Sequence, residues 1–161
     1  MELQNDKNTG LFTFNGMNCI SRVIDITDGD TIKTIIKFKD EYYKIIVRLN
    51  NIDTCETKSK VEENKNLGIK AKQRLYNLIT GKEILTNDKK AIKNELNENS
   101  YLIWLKCYEF DKYGRVMGDI YAKEEDTIKS FSDILIEEKL AYKYQGKTKL
   151  TEEDQLKLLC E

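Results

Sequence analysis

Residues 24–57 read IDITDGDTIKTIIKFKDEYYKIIVRLNNIDTCET, and the alternation within them decides the fold. After Asp28-Gly29-Asp30-Thr31, where one strand turns into the next, Ile32, Thr34, Ile36 and Phe38 share one strand face and Lys33, Ile35 and Lys37 the other. Past the charged turn Lys39-Asp40-Glu41, Tyr43, Ile45, Val47 and Leu49 line one face of a second strand. Arg48 therefore points away from that apolar set. The stretch ends in a polar loop, Asn50 to Thr57, that carries Asp53 and Glu56.

A hairpin closed in this register brings its outer ends together, so Asp30 is expected beside Asp53 and Glu56. Two such charges ~4 Å apart repel by about 4 kcal/mol at an effective dielectric of ~20. A cation or a proton must offset that cost. An all-oxygen donor set favours a hard ion, calcium or magnesium, over zinc.

Working outward, residues 17–26 read as a preceding strand, and residues 1–16 as a loose arm or short edge strand. From about Asn66, Leu67, Ala71, Leu75, Leu78 and Ile79 fall on one helical face, with Gly81 as the C-cap. Residues 82–100 are polar and asparagine-rich and read as an insertion in a surface connection, with a short helix around Ala91–Leu96. Tyr101–Cys107 is a fourth strand, Asp111-Lys112-Tyr113-Gly114-Arg115 a turn, and Val116–Ala122 a fifth strand. Thr127–Leu140 reads as an amphipathic helix buried through Ile128, Phe131, Ile134 and Leu135. Thr151 opens a last short helix holding Leu156, Leu159 and Cys160. The order β-β-β-α-β-β-α is that of an OB-type five-stranded Greek-key barrel with flanking helices, a mainly β fold with α elements often found on oligonucleotides. The expected organisation is one domain over residues 17–161 behind the arm.

Composition narrows the chemistry. The chain has 161 residues, no histidine and a net charge of −1. Without histidine, every serine–histidine or cysteine–histidine nucleophile is excluded, as is any histidine base. The four cysteines, Cys19, Cys55, Cys107 and Cys160, form no CxxC pair. They read as reduced thiols, three packed as small hydrophobes and Cys55 open to solvent in the acidic loop. No apolar run is long enough for a membrane span, and the polar start MELQNDKNTG is no secretory signal, so an intracellular site or an already trimmed mature form is expected. Residues 58–74 hold six basic and two acidic side chains. Lys58, Lys60, Lys70 and Lys72 within them read equally as a solvated helix face or as a strip tracking phosphates.

Four motifs in order, DGDT, RLNNIDTCET, DKYGR and LAYKY, make residues 19–144 resemble the staphylococcal nuclease (thermonuclease-like) family. The resemblance implies an OB barrel with helices and calcium-dependent hydrolysis of phosphodiester bonds in DNA and RNA, with single strands the expected partner and a monomer the expected state. It places Asp30 and Asp53 as calcium carboxylates and Thr54 as a ligand through its backbone carbonyl. Glu56 matches the acid that positions or deprotonates water, and Arg48 and Arg115 the two guanidiniums on the scissile phosphate. Tyr113 and one of Tyr142 or Tyr144 match tyrosines lining the nucleotide site, with Lys70 and Lys72 the candidates for the phosphate strip. Two features depart from the family: Cys55 stands where its proline is usual, and the 82–100 connection is longer. The alternatives are an OB module that kept the motifs and binds nucleic acid or protein without turnover, and a calcium-stabilised structural domain.

Overall fold

The computed structural model describes residues 6–123 and 129–161. Five strands close a barrel in the order β1-β2-β3-β6-β5, where β1 is Asn18–Asp28, β2 Thr31–Phe38, β3 Glu41–Leu49, β5 Leu102–Phe110 and β6 Val116–Ala122. Neighbours run antiparallel except β3 and β6, which meet in parallel through Val47↔Val116, Arg48↔Met117 and Leu49↔Gly118. This is the OB arrangement, and closure leaves no long free edge. The β2–β3 register pairs Thr31 with Arg48, and Lys39 and Asp40 turn the hairpin with positive φ. The hairpin read from alternation is therefore the one formed, and it buries Ile32, Thr34, Ile36, Val47 and Leu49.

Outside the barrel, α1 (Glu62–Thr80) begins four residues before the expected start and stops at Gly81, whose left-handed φ of 71° suits a residue without a side chain. Helix α2 (Lys89–Glu98) is the short helix expected near Ala91–Leu96, but its setting differs from a surface connection. Ile92 and Leu96 are fully buried in the main core, packed over β1. The polar residues around that i, i+4 pair hid an amphipathic helix. Its seat is fixed further by Asn97, whose amide donates to Ile24 O at 3.1 Å and whose own carbonyl accepts from Arg22 at 2.8 Å.

Helix α3 covers Phe131–Glu137, with Phe131 and Leu135 buried and Ile134 half-buried. The expected start, Thr127 and Ile128, lies outside the described residues. Two short strands, β4 (Ile52–Asp53) and β7 (Tyr142–Lys143), pair antiparallel, and α4 (Glu152–Cys160) follows with Thr151 as its N-cap. At the barrel's opposite end Phe12 and Phe14 of the N-terminal segment pack on the barrel. Phe14 stacks edge-on against Phe38 at 5.3 Å between ring centres, and Phe12 packs on both. No helix of the described residues is long and apolar enough to cross a membrane.

The thiols are placed differently from expectation. Cys55 is buried and Cys160 exposed, while Cys19 is half-buried and Cys107 buried. Cys55 is covered because α4 docks over the acidic loop, and its thiol donates to Gln155 Oε1 at 3.3 Å. Burial pushes that thiol up to about 11.

Candidate active site

The acidic loop is assembled by backbone bonds that the strand ends leave over. Leu49 N–H donates to Asp30 O at 2.8 Å, Asn50 N–H to Gly118 O at 2.9 Å, and Tyr144 N–H to Asn51 O at 2.9 Å. The first joins the two ends of the hairpin, and the last clips the loop to the segment after α3. The β4–β7 pairing sets Asp53 opposite Tyr142.

These bonds gather side chains from distant segments around one pocket of about 370 Å³. Its lining includes Asp28, Asp30, Arg48, Asp53, Thr54, Glu56, Thr57, Lys58, Lys89, Arg115 and Lys149. All six residues assigned to catalysis or metal by resemblance, Asp30, Arg48, Asp53, Thr54, Glu56 and Arg115, line this single opening.

Arg48 is buried and fully engaged. Its Nη1 donates to Leu49 O at 3.1 Å and Ile52 O at 2.9 Å, while Nη2 sits 2.9 Å from Asp53 Oδ1 and 3.2 Å from Asp30 Oδ2. The like-charge cost foreseen for the acids is thus offset by a guanidinium between them. The other carboxylate oxygens are also occupied. Asp30 accepts from the Thr31 hydroxyl at 2.9 Å and from Thr54 N–H at 3.3 Å, and Asp53 accepts from the Tyr142 hydroxyl. Burial raises the Asp53 pKa, and Asp30 adds to that; the Tyr142 bond, Lys149 and Arg48 work against it. Lys149 reaches Asp53 at 3.5 Å from a largely exposed position.

Arg115 enters the pocket from the Gly114 turn between β5 and β6. Its Nε donates to Asp111 Oδ2 at 2.6 Å, and its guanidinium lies 5.2 Å from the Tyr113 ring centre. Burial works to raise the Asp111 pKa, yet the Arg115 and Tyr113 backbone N–H groups and the Arg115 side chain hold it below the usual carboxylate range. Unlike Arg48, Arg115 has one carboxylate partner among the described residues and is about a third exposed. Glu56 is exposed at the rim.

The tyrosines separate into two roles. Tyr113 and Tyr144 line an adjoining pocket of about 720 Å³ with Arg48, Arg115, Lys112, Lys147 and Lys149. Tyr142 is buried between Asp53 and Gln155, whose Nε2 donates to its hydroxyl at 3.1 Å. Tyr142 is therefore an Asp53 support and does not face that second pocket. The lysine pair divides as well. Lys70 is exposed, but Lys72 is 1% exposed, with its Nζ lacking a hydrogen-bond partner among the described residues. Lys72 lies on the flank of α1 that also buries Tyr76 and Ile79, so it does not belong to a surface strip with Lys70.

Several pocket residues had no assignment from the sequence. Asp28 belongs to the DGDT motif and accepts from the Thr57 hydroxyl at 2.9 Å, so the motif itself contained that signal. Lys89 and Lys149 come from α2 and from the segment before α4, and no local pattern marks either.

For a metal, the donor chemistry fits a hard cation: carboxylate and carbonyl oxygens in one opening with no nitrogen or accessible sulfur ligand. As they stand, the described residues bring no three acidic or cysteine side chains together at metal-binding spacing, and Arg48 lies between Asp30 and Asp53.

A closed OB barrel with acids and arginines gathered at one opening defines a nuclease-like domain of the kind that engages nucleic acid. The chain belongs to the family described as staphylococcal nuclease homologue, whose model matches residues 46–160. No curated protein matches the chain. The family match starts inside β3, so Asp28 and Asp30 precede it while Arg48, Asp53, Thr54, Glu56 and Arg115 fall within it.

Proposed function

We propose that this chain hydrolyses phosphodiester bonds of DNA and RNA in single strands, with calcium as its ion. The observation that carries the reading is the convergence of Asp30, Arg48, Asp53, Glu56 and Arg115 on one pocket from separate segments of the chain. Cleavage develops negative charge on the nonbridging oxygens of the phosphate, and guanidiniums meet it with ionised, paired donors. Arg115, half free at the rim, turns from Asp111 toward the phosphate. Arg48, fixed by the Leu49 and Ile52 carbonyls and paired with both acids, lends its permanent charge to the phosphate from the pocket lining. Glu56 accepts the proton of the attacking water, the task left to a carboxylate in a chain without histidine. Asp30, Asp53 and the Thr54 carbonyl would hold calcium, which would supply charge neutralisation at the phosphoryl oxygen. Tyr113 and Tyr144 offer ring faces for the nucleotide base in the adjoining pocket.

The test is cleavage of labelled single-stranded DNA and RNA in calcium, in magnesium and in chelator. Cleavage in calcium that chelator abolishes supports the reading, and undiminished cleavage in excess chelator removes the metal from it. A second reading, a binding module without turnover, is favoured by the engagement of Arg48 with Asp30 and Asp53. Tight binding of the same strands with no cleavage in any metal would establish it.

A further inference from the structure

The inserted helix α2 does more than fill the core, because it delivers a lysine to the pocket. Ile92, Leu96 and Asn97 fasten α2 to β1 on one side, and this directs its first turn at the opening. Lys89, the first residue of α2, lines the same pocket as Asp28 and Arg115. It is exposed and has no ion-pair or hydrogen-bond partner among the described residues.

The charge pattern here runs against what helix stability asks for. A helix N-terminus carries partial positive charge and favours acids in its first turn. The first turn of α2 has none and begins Lys89-Lys90, with Asp88 serving as the cap through its bond from Lys90 N–H at 2.9 Å. Close by, the Lys72 ammonium is buried without a hydrogen-bond partner among the described residues, near enough to Lys89 that the two repel, with Asp28 and Asp25 as the opposing charges. Two lysines and a helix dipole thus concentrate positive charge beside a pocket that already holds two arginines. Among the described residues nothing pairs with Lys89, and an anion entering there would meet its ammonium at the positive end of α2.

We propose that Lys89 grips a flanking phosphate of the bound strand, so that the inserted helix adds a subsite one phosphate away from the scissile bond. The inference rests on the nuclease reading. It makes the chain favour internal bonds of a longer strand over a lone dinucleotide, since only the longer strand carries a phosphate for Lys89.

The probe is a fluorescein-labelled single-stranded DNA 12-mer, with binding followed by anisotropy in chelator and cleavage followed in calcium. Lys89→Ala should weaken 12-mer binding by about three- to tenfold and flatten the salt dependence by one contact, a slope change of roughly 0.7. Lys89→Arg should restore both. In calcium, the KM for the 12-mer should rise with kcat unchanged, while cleavage of a dinucleotide is unaltered. Lys44→Ala, the same charge change on the far half of β3, controls for net charge, and thermal melts check that each variant is folded. A parent that binds and cleaves while Lys89→Ala matches it in affinity and salt slope overturns this inference alone. A parent that neither binds nor cleaves overturns the nuclease reading and this subsite with it.

Discussion

Arg48 stands between Asp53 and Asp30, 2.9 Å from one carboxylate and 3.2 Å from the other, with both acids and the guanidinium buried. One side chain therefore serves two ends. It neutralises the acidic loop during folding, and it presents a charged edge to the pocket. Arg115, paired with Asp111 on a turn and lying over the Tyr113 ring, carries no such structural duty.

The two arginines should separate under the same substitution. Arg48→Lys loses the planar fork that reaches Leu49 O, Ile52 O and both acids, so it should lower stability by about 1–3 kcal/mol. Arg115→Lys should leave the melt within about 0.5 kcal/mol of the parent. Either variant should lose rate by a factor on the order of 10²–10³. Near-parental turnover in both would assign the arginines to folding alone.

Asp30→Asn asks whether the acid serves metal or turn. Asp53 still pairs Arg48 in the variant, so denaturant melts in chelator should agree with the parent within about 1 kcal/mol. Calcium at a hundredfold over its Kd should then stabilise the parent by about 2.7 kcal/mol through linkage, and the variant far less. A variant that is markedly less stable in chelator yet still cleaves would return Asp30 to a turn-holding role.

The hairpin, the register and the site acids were legible because each rests on a short-range signal. Period-two alternation fixed which way Arg48 pointed, and closure of the β2–β3 hairpin brought Asp30 to the loop that carries Asp53, which the β4–β7 pairing then seats. What sequence reasoning missed is long-range or masked by residue type. Lys72 sits four residues before Tyr76 and seven before Ile79 on a buried flank of α1, but a lysine there reads as solvated. Ile92 and Leu96 form too short an apolar pair to announce a core helix among asparagines and lysines. Cys55 looked exposed because its neighbours are charged, and only α4 docking from a distant part of the chain covers it.

Lys72 yields a pH prediction whose sign follows from its burial. Desolvation lowers its folded pKa below the ordinary lysine value, with Lys89 adding to this and Asp28 and Asp25 opposing it. The folded state thus binds the proton less firmly than the unfolded chain does. Below the folded pKa the buried ammonium costs stability, and the cost is relieved as pH rises through that pKa toward the unfolded lysine value of ~10.4. Lys72→Met keeps the stem and removes the charge, so at neutral pH it should be more stable by roughly 1–2 kcal/mol. That advantage should shrink in melts taken at increasing pH up to about 10. A less stable variant, or an advantage constant with pH, would show that the ammonium is satisfied in solution.

Gly68 offers the sharpest test of how α1 positions Glu56. By helix propensity alone, Gly→Ala in mid-helix should gain up to about 1 kcal/mol. Here an added Cβ would lie 2.7 Å from Cys55 O and 2.8 Å from the Glu56 carbonyl carbon, both backbone atoms of the acidic loop. Neither can swing aside as a side-chain tip does, so either the loop or the helix must shift. Overpacking of this kind costs about 1–3 kcal/mol, which offsets the propensity gain and more. Gly68→Ala should therefore melt lower than the parent, and because the displaced peptide carries Glu56, turnover should fall by about tenfold to a hundredfold. Gly10→Ala, with open space around its Cβ, serves as the neutral control. A Gly68→Ala protein that is more stable and equally active would mean that the Cys55–Glu56 peptide yields freely. In that case the close approach of α1 would not be what sets the Glu56 carboxylate in place.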